Sequence, residues 1–209
     1  MMRTRHKTCL APGVFGDTTV AIERVGPDAP DRHTLDAYVR RVFARRYGAM
    51  IPHLCSELLC VRDNTGSPTA VVGMRQAARE RLYPEIYLNE PIEAAVSWRA
   101  GRAVDRSRIV EIAHLAPESA GQTRLLIGTL ARHLHDRGFE WVVFTAVPRI
   151  RSAFCGLDLN PIELIVASAK RLPEAERPCW GRYYDQQPIV CIGEIRLALE
   201  KMEGTGSDS

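Results

Sequence analysis

Ser107–Arg151 reads SRIVEIAHLAPESAGQTRLLIGTLARHLHDRGFEWVVFTAVPRIR, and its pattern decides the fold. Arg108–Leu115 is a β-branched, apolar strand with Glu111 set inside it, and a carboxylate among buried neighbours calls for a reason. APESAGQT then leads into a helix whose first N–H groups lack intrahelical partners, which makes an anion site. Leu126, Ile127, Leu130, Ala131 and Leu134 recur at helical spacing, while Arg124, Arg132 and Asp136 lie largely off that stripe. Gly138 suits the position after the helix, Trp141–Val147 is a second strand, and Pro148 closes it. Strand, crossover helix and strand make a βαβ unit, which requires a parallel pair.

Working outward, Thr18–Val25 is an expected first strand ended by the loop GPDAPD. Asp31 is placed to cap a helix with an apolar stripe of Leu35, Tyr38, Val39, Val42, Phe43 and Tyr47, stopped at Gly48. Arg40, Arg41, Arg45 and Arg46 occupy its remaining circumference, as a solvated face or as a patch for phosphate or carboxylate; Arg46, by the helix end, is the best placed of them. Glu57–Arg62, the turn DNTGSP and Thr69–Arg75 form a hairpin. Pro91 opens a short helix that Gly101 ends. Tyr83, Tyr87 and Leu88 plug the core edge or line a pocket. Arg149–Cys155 reads as a helix broken at Gly156, Ile162–Val166 as a strand, the Trp180, Tyr183 and Tyr184 segment as loop, and Ile189–Ile195 as the last strand. Residues 1–17 read as a loose leader, 18–202 as one domain of mixed α/β class, and 203–209 as a polar tail.

The composition of the 209 residues, 45% hydrophobic and 25% charged, is that of a globular chain. A net charge of +3 from 28 basic and 25 acidic residues is too balanced to indicate nucleic acid. Six cysteines fall without zinc spacing, so no metal is expected and the thiols read as reduced. The basic N-terminus has no apolar segment after it and no run is long enough to span a bilayer, which points to the cytoplasm.

The element order around a strand, an anion-ready loop and a helix resembles the GNAT acyltransferase fold. A narrower resemblance covers about Leu35–Ile195. ARRYGA, LLCVRD…AVVGMR, IYLNEPIE, RIVEIAHLA, WVVFTAVPRIRSAF and, most specifically, WGRYYDQQPIV are similar to the thermostable-hemolysin family, itself related to acyl-homoserine-lactone synthases. Val110–Leu115 resembles the Glu-x-x-Arg-Phe signature of those synthases, with His114 where they carry Arg. PESAGQTR keeps Gly121 of the family's phosphate loop without its Gly-x-Gly.

The resemblance implies an N-acyltransferase that moves an acyl group from acyl-CoA or an acyl-phosphopantetheine carrier protein to a small amine or amino acid. The donor would lie on Leu115, Ala116, Ser119, Ala120, Gly121, Gln122, Thr123 and Arg124. Glu111, its pKa raised by burial, suits a general base; alternatively it pairs with Arg108 or Arg151 and is structural. By strand parity His114 points away from Glu111 unless a bulge intervenes, and a lone histidine is also a common core residue. Tyr184 and Tyr183 are candidates for the acid that reprotonates the thiolate, or pocket walls, or packing beside Trp180; Arg46, Tyr87, Trp180 and Tyr183 are the candidates for binding the acceptor. The competing readings are a membrane-active lytic protein, as the family name implies, and a GNAT-like module that binds without catalysis.

Overall fold

The computed structural model describes residues 13–15, 18–20, 22–117 and 120–204. Two short strands, β1 (Gly13–Phe15) and β2 (Thr18–Val20), form a separate antiparallel ribbon. The remainder is β3 (Ile22–Val25), α1 (Arg32–Tyr47), β4 (Glu57–Arg62), β5 (Pro68–Gln76), α2 (Ile92–Ala100), β6 (Ile109–Pro117), α3 (Ala120–Asp136), β7 (Trp141–Ala146), α4 (Pro148–Cys155), β8 (Ile162–Val166), β9 (Ile189–Glu194) and α5 (Ile195–Gly204). The expected strand Thr18–Val25 is therefore two strands in two sheets. Most of the expected leader, and the tail beyond residue 204, lie outside the described residues.

Seven strands order as β3-β4-β5-β6-β7-β9-β8, and only β6 and β7 run parallel. Period-two alternation sends successive residues to opposite faces. Val71 and Ile109 face α1, packing with Leu35, Tyr38, Val39 and Phe43. Val72, Met74, Val110 and Ile112 face the other way, onto Leu126, Leu130 and Leu134 of α3 and Ile195 and Leu199 of α5. The last element expected from sequence is a strand through Ile195, with 196–202 kept in the domain without an element of their own. Yet Ile195, Leu199 and Met202 are buried at helical spacing, so the stripe that makes α5 a helix was present in the residues.

Turn chemistry follows the composition. In the β4–β5 turn the Asp63 carboxylate accepts the N–H groups of Thr65 (2.8 Å) and Ser67 (3.0 Å), and the Thr65 hydroxyl holds its pKa below the usual carboxylate value. Asp31 occupies the N-cap position of α1 but makes no side-chain cap; its carboxylate is bonded to Arg62 instead.

The C-terminal end of α1 is docked on the WGRYYD run. Arg182 N–H donates to the Tyr47 carbonyl at 2.7 Å, and Met50 N–H to the Cys179 carbonyl at 2.6 Å. Gly181 sits at φ 50, ψ −124, and a Cβ there would lie 2.4 Å from the Tyr47 oxygen and 2.6 Å from the Gly48 oxygen. Both colliding atoms are backbone, so the approach cannot relax cheaply. Gly181→Ala is expected to lower the unfolding free energy by about 2–4 kcal/mol. Gly101→Ala, at φ 65 with open space around it, is expected to cost about 1 kcal/mol. Urea midpoints of the two variants measure the difference.

Candidate active site

The centre of the sheet is open. β6 pairs with β7 only at Ile109↔Trp141, Val110↔Val142 and Glu111↔Val143. Beyond Glu111, β6 continues along β5 to Pro117 while Phe144, Thr145 and Ala146 pair with β9. Backbone groups of β6 and β7 that face each other past this fork are left for a ligand or water.

Along β5 the register steps from Gly73↔Ala113 to Val71↔Ala116, so three steps on β6 oppose two on β5. The extra residue is absorbed near His114, at φ 52, a bulge that inverts the side-chain order after it. Parity alone put His114 away from Glu111. The bulge instead brings both to one cavity. Gly73 makes room, since a Cβ there would lie 2.9 Å from the His114 ring and 2.5 Å from Cys55 Sγ.

Glu111 is 3% exposed. Its Oε1 accepts from Arg75 Nη1 at 3.1 Å and its Oε2 from the Tyr83 backbone N–H at 2.9 Å. Burial raises its pKa, against the opposing pull of Arg75 and the Tyr83 N–H. The two arginines considered from sequence are engaged elsewhere, Arg108 on the Gly138 carbonyl and Arg151 beside Glu163. Arg75 is directly across the ladder from Glu111, but that register joins segments 36 residues apart, and periodicity carries no such information.

The Tyr83 N–H is held in place by a second buried carboxylate. Glu85 accepts from the N–H groups of Leu82 (2.7 Å) and Ile92 (3.1 Å) and from both terminal nitrogens of Arg106 (2.8 Å each). This clamp closes the irregular segment 82–92, and no sequence motif announced it.

Aromatic rings wall the cavity. Trp180 packs against Tyr83 and Tyr183, with centroids 5.8 and 5.2 Å apart, and Tyr183 meets Tyr47 edge-on at 5.2 Å. The Tyr87 and Tyr184 hydroxyls share a hydrogen bond of 2.6 Å. Burial lifts the Tyr83 phenol to about 12 and those of Tyr87, Tyr183 and Tyr184 further, so they stay neutral. His114, chiefly through burial and then through Arg75, is held down to about 3 and is a neutral imidazole. His114 Nε2 and Trp180 Nε1 are buried without a hydrogen-bond partner.

Of the sequence candidates, Glu111, His114, Leu115, Tyr87, Trp180 and Tyr183 line this cavity of about 60 Å³. Tyr184 stands behind it, on Tyr87. Ala116 is buried core, opposite Val71. Arg46 is half-buried, its pKa lowered by burial and then by neighbouring Arg149. Ser119 lies outside the described residues, and Ala120, Gly121, Gln122, Thr123 and Arg124 form the opening of α3 itself, so the helix starts earlier than the loop reading placed it. Phe43 was read only as core, yet it lines the cavity and meets the His114 ring edge-on at 6.2 Å.

A second, larger cavity of about 230 Å³ lies on the α3–α5 side, walled mainly by carbon, and Ile112 and Leu115 line both. The two cavities thus share a wall beside the fork. Cys55, Cys60 and Cys191 are pushed up to about 12 by burial, and no described cysteine lines either cavity, so thiolate nucleophiles have no place here. Arg75→Met removes the charge that opposes burial at Glu111. A carbon-13 NMR titration of the labelled Glu111 carboxyl is expected to show a wild-type pKa above 4.5 and a further rise in Arg75→Met.

Comparison with known proteins bears on the fold. The fold matches TofI, solved with an inhibitor and MTA, at TM-score 0.56 and 14% identity over 87% of this chain and 96% of that one. It matches FeeM, an N-acyl amino acid synthase from uncultured soil microbes, at 0.56 and 12% over 89% and 96%. MesI, a CoA-dependent acyl-homoserine lactone synthase, matches at 0.51 and 15% over 90% and 96%. No curated protein matches by sequence. The thermostable hemolysin family model matches residues 25–199, a span that includes the fork, the bulge and the aromatic wall, and the chain therefore belongs to the thermostable hemolysin family.

Proposed function

We propose that the protein is an N-acyltransferase that moves an acyl group from a thioester donor to a small amine. One observation carries this: two parallel strands part at a buried carboxylate, with a polar-aromatic cavity on one side and an apolar groove on the other, both lined by Ile112 and Leu115. A thioester arm threaded through the gap would present its carbonyl beside Glu111, with its acyl chain in the groove and the amine arriving from the aromatic side. The folds of FeeM and MesI, the first an N-acyl amino acid synthase and the second CoA-dependent, support the same class of chemistry and a CoA or carrier-protein thioester as donor.

In this reading Glu111, directly or through water, takes the proton of the amine as its nitrogen attacks the thioester carbon. Free β6 backbone N–H groups at the fork are available to the developing oxyanion. The carbon–sulfur bond then breaks, the thiolate takes up a proton, and an amide and a thiol leave. Tyr184 and Tyr87, neutral at working pH, serve as hydrogen-bond donors, and Tyr184 is linked to the cavity through Tyr87. Neutral His114 offers its unpartnered Nε2 to the acceptor. Arg46, Trp180 and Tyr183 complete the acceptor side, and the start of α3, with Gly121, receives the donor's phosphates.

Lysis, as the family name has it, finds no support in the helices: the apolar faces of α3 and α5 are spent on the sheet. No helix among the described residues is long and apolar enough to cross a membrane.

With a panel of acyl-CoA thioesters and amino acids, thiol release is expected in the wild type. Glu111→Gln is expected to reduce it about 10²–10⁴-fold with an unchanged circular dichroism spectrum. Activity should rise with pH through an apparent pKa above the ordinary glutamate value, because the base acts deprotonated and burial raises its pKa. Unimpaired turnover by Glu111→Gln would remove that residue as the base.

A further inference from the structure

The apolar groove ends at a contact that acyl transfer itself does not use. Its inner end is Ile112 and Leu115 at the fork, Leu130 and Phe144 are among its walls, and its outer end is Asp158 and Lys201. Lys201, on α5, donates to the Asp158 carbonyl at 2.7 Å and also to its carboxylate. Asp158 holds φ 55, a left-handed conformation that costs most L-residues about 1–2 kcal/mol and that aspartate tolerates better than most. Its N–H donates to the Cys155 carbonyl at 3.0 Å, and that of Leu159 to Phe154 at 3.0 Å, so the turn presenting the carboxylate is closed on α4. Leu197, one helical turn before Lys201, lines the same groove yet is 49% exposed. The carbon lining thus runs to the ion pair and stops.

An apolar cavity of roughly 150 Å³ takes a six-carbon ring, so by proportion a groove of about 230 Å³ takes roughly nine carbons. Resting on the acyl-transfer reading, we infer that the Asp158–Lys201 pair is the length stop of the acyl site and that the preferred donors carry medium, unbranched chains of about eight to ten carbons. Methylenes beyond the stop must strip water from a charged pair without replacing its hydrogen bonds, or pass out into solvent; neither adds affinity. The pair is itself exposed and contributes little to folding, so it can be altered without endangering the fold. Asp158→Gly suits the left-handed backbone, and Lys201→Met keeps an apolar stem where the ammonium was.

The test is calorimetric titration of the full chain with straight fatty acids of about six to fourteen carbons, alongside thiol release from the matching acyl-CoA series. Wild-type affinity is expected to tighten with length up to about ten carbons and then level off. In Lys201→Met and Asp158→Gly the tightening should continue, raising the preference for fourteen over eight carbons on the order of tenfold, with kcat/KM following. Variants that keep the wild-type length profile overturn the inference, as does a wild type that tightens without a break or binds no fatty acid. A shifted binding profile without any transfer to amines leaves the length stop standing and removes the acyl-transfer reading; transfer with an unshifted profile does the reverse.

Discussion

Three rungs hold β6 to β7, and the rest of the molecule is arranged around where they end. A parallel pair in mid-sheet is ordinarily buried on both faces and hydrogen-bonded along its length. Here the strands part while each keeps its other neighbour, β6 on β5 and β7 on β9. The fork costs unmade ladder bonds, which is sustainable only because both faces beside it are walled by packed layers and the exposed backbone can be paired by something that enters.

The carboxylate at the fork shows how position sets chemistry. Glu111 without Arg75 would be an isolated buried carboxylate whose charged form burial disfavours still further. With a fully committed arginine it would be an inert ion pair. It has one guanidinium nitrogen and one backbone N–H, and Arg75 also faces Glu80 at 3.5 Å. Divided attention of this kind leaves a carboxylate whose pKa burial still governs, which is the condition for a base. The Tyr83 N–H belongs to an irregular segment with little secondary structure to hold it, and the Glu85–Arg106 clamp supplies the missing rigidity.

Much of this was legible in the residues, and what escaped did so for physical reasons. Helix ends at Gly48, Gly101 and Gly138 all fall where the left-handed cap requires glycine, at φ 66, 65 and 80. The parallel pair and its crossover helix followed from apolar spacing. The Arg75 partner did not, because cross-strand register is non-local. The orientation of His114 escaped because a bulge at a histidine carries no glycine to mark it, and parity fails past a bulge. The Arg62 anchor of Asp31 displaced a cap that local rules favoured, a case of tertiary pairing outcompeting a turn-level preference. α5 differs, since its stripe of Ile195, Leu199 and Met202 is local and legible at helical spacing.

The seam also divides the chain in sequence. Residues 22–117 form β3 to β6 through antiparallel pairings, and residues 141–194 form β7, β8 and β9 in the same manner. Each half completes its ladder within its own stretch of chain, and only the three β6–β7 rungs join the two. The seam is thus the narrowest join in the seven-stranded sheet, and any molecule lodged in it acts as a staple between two half-sheets.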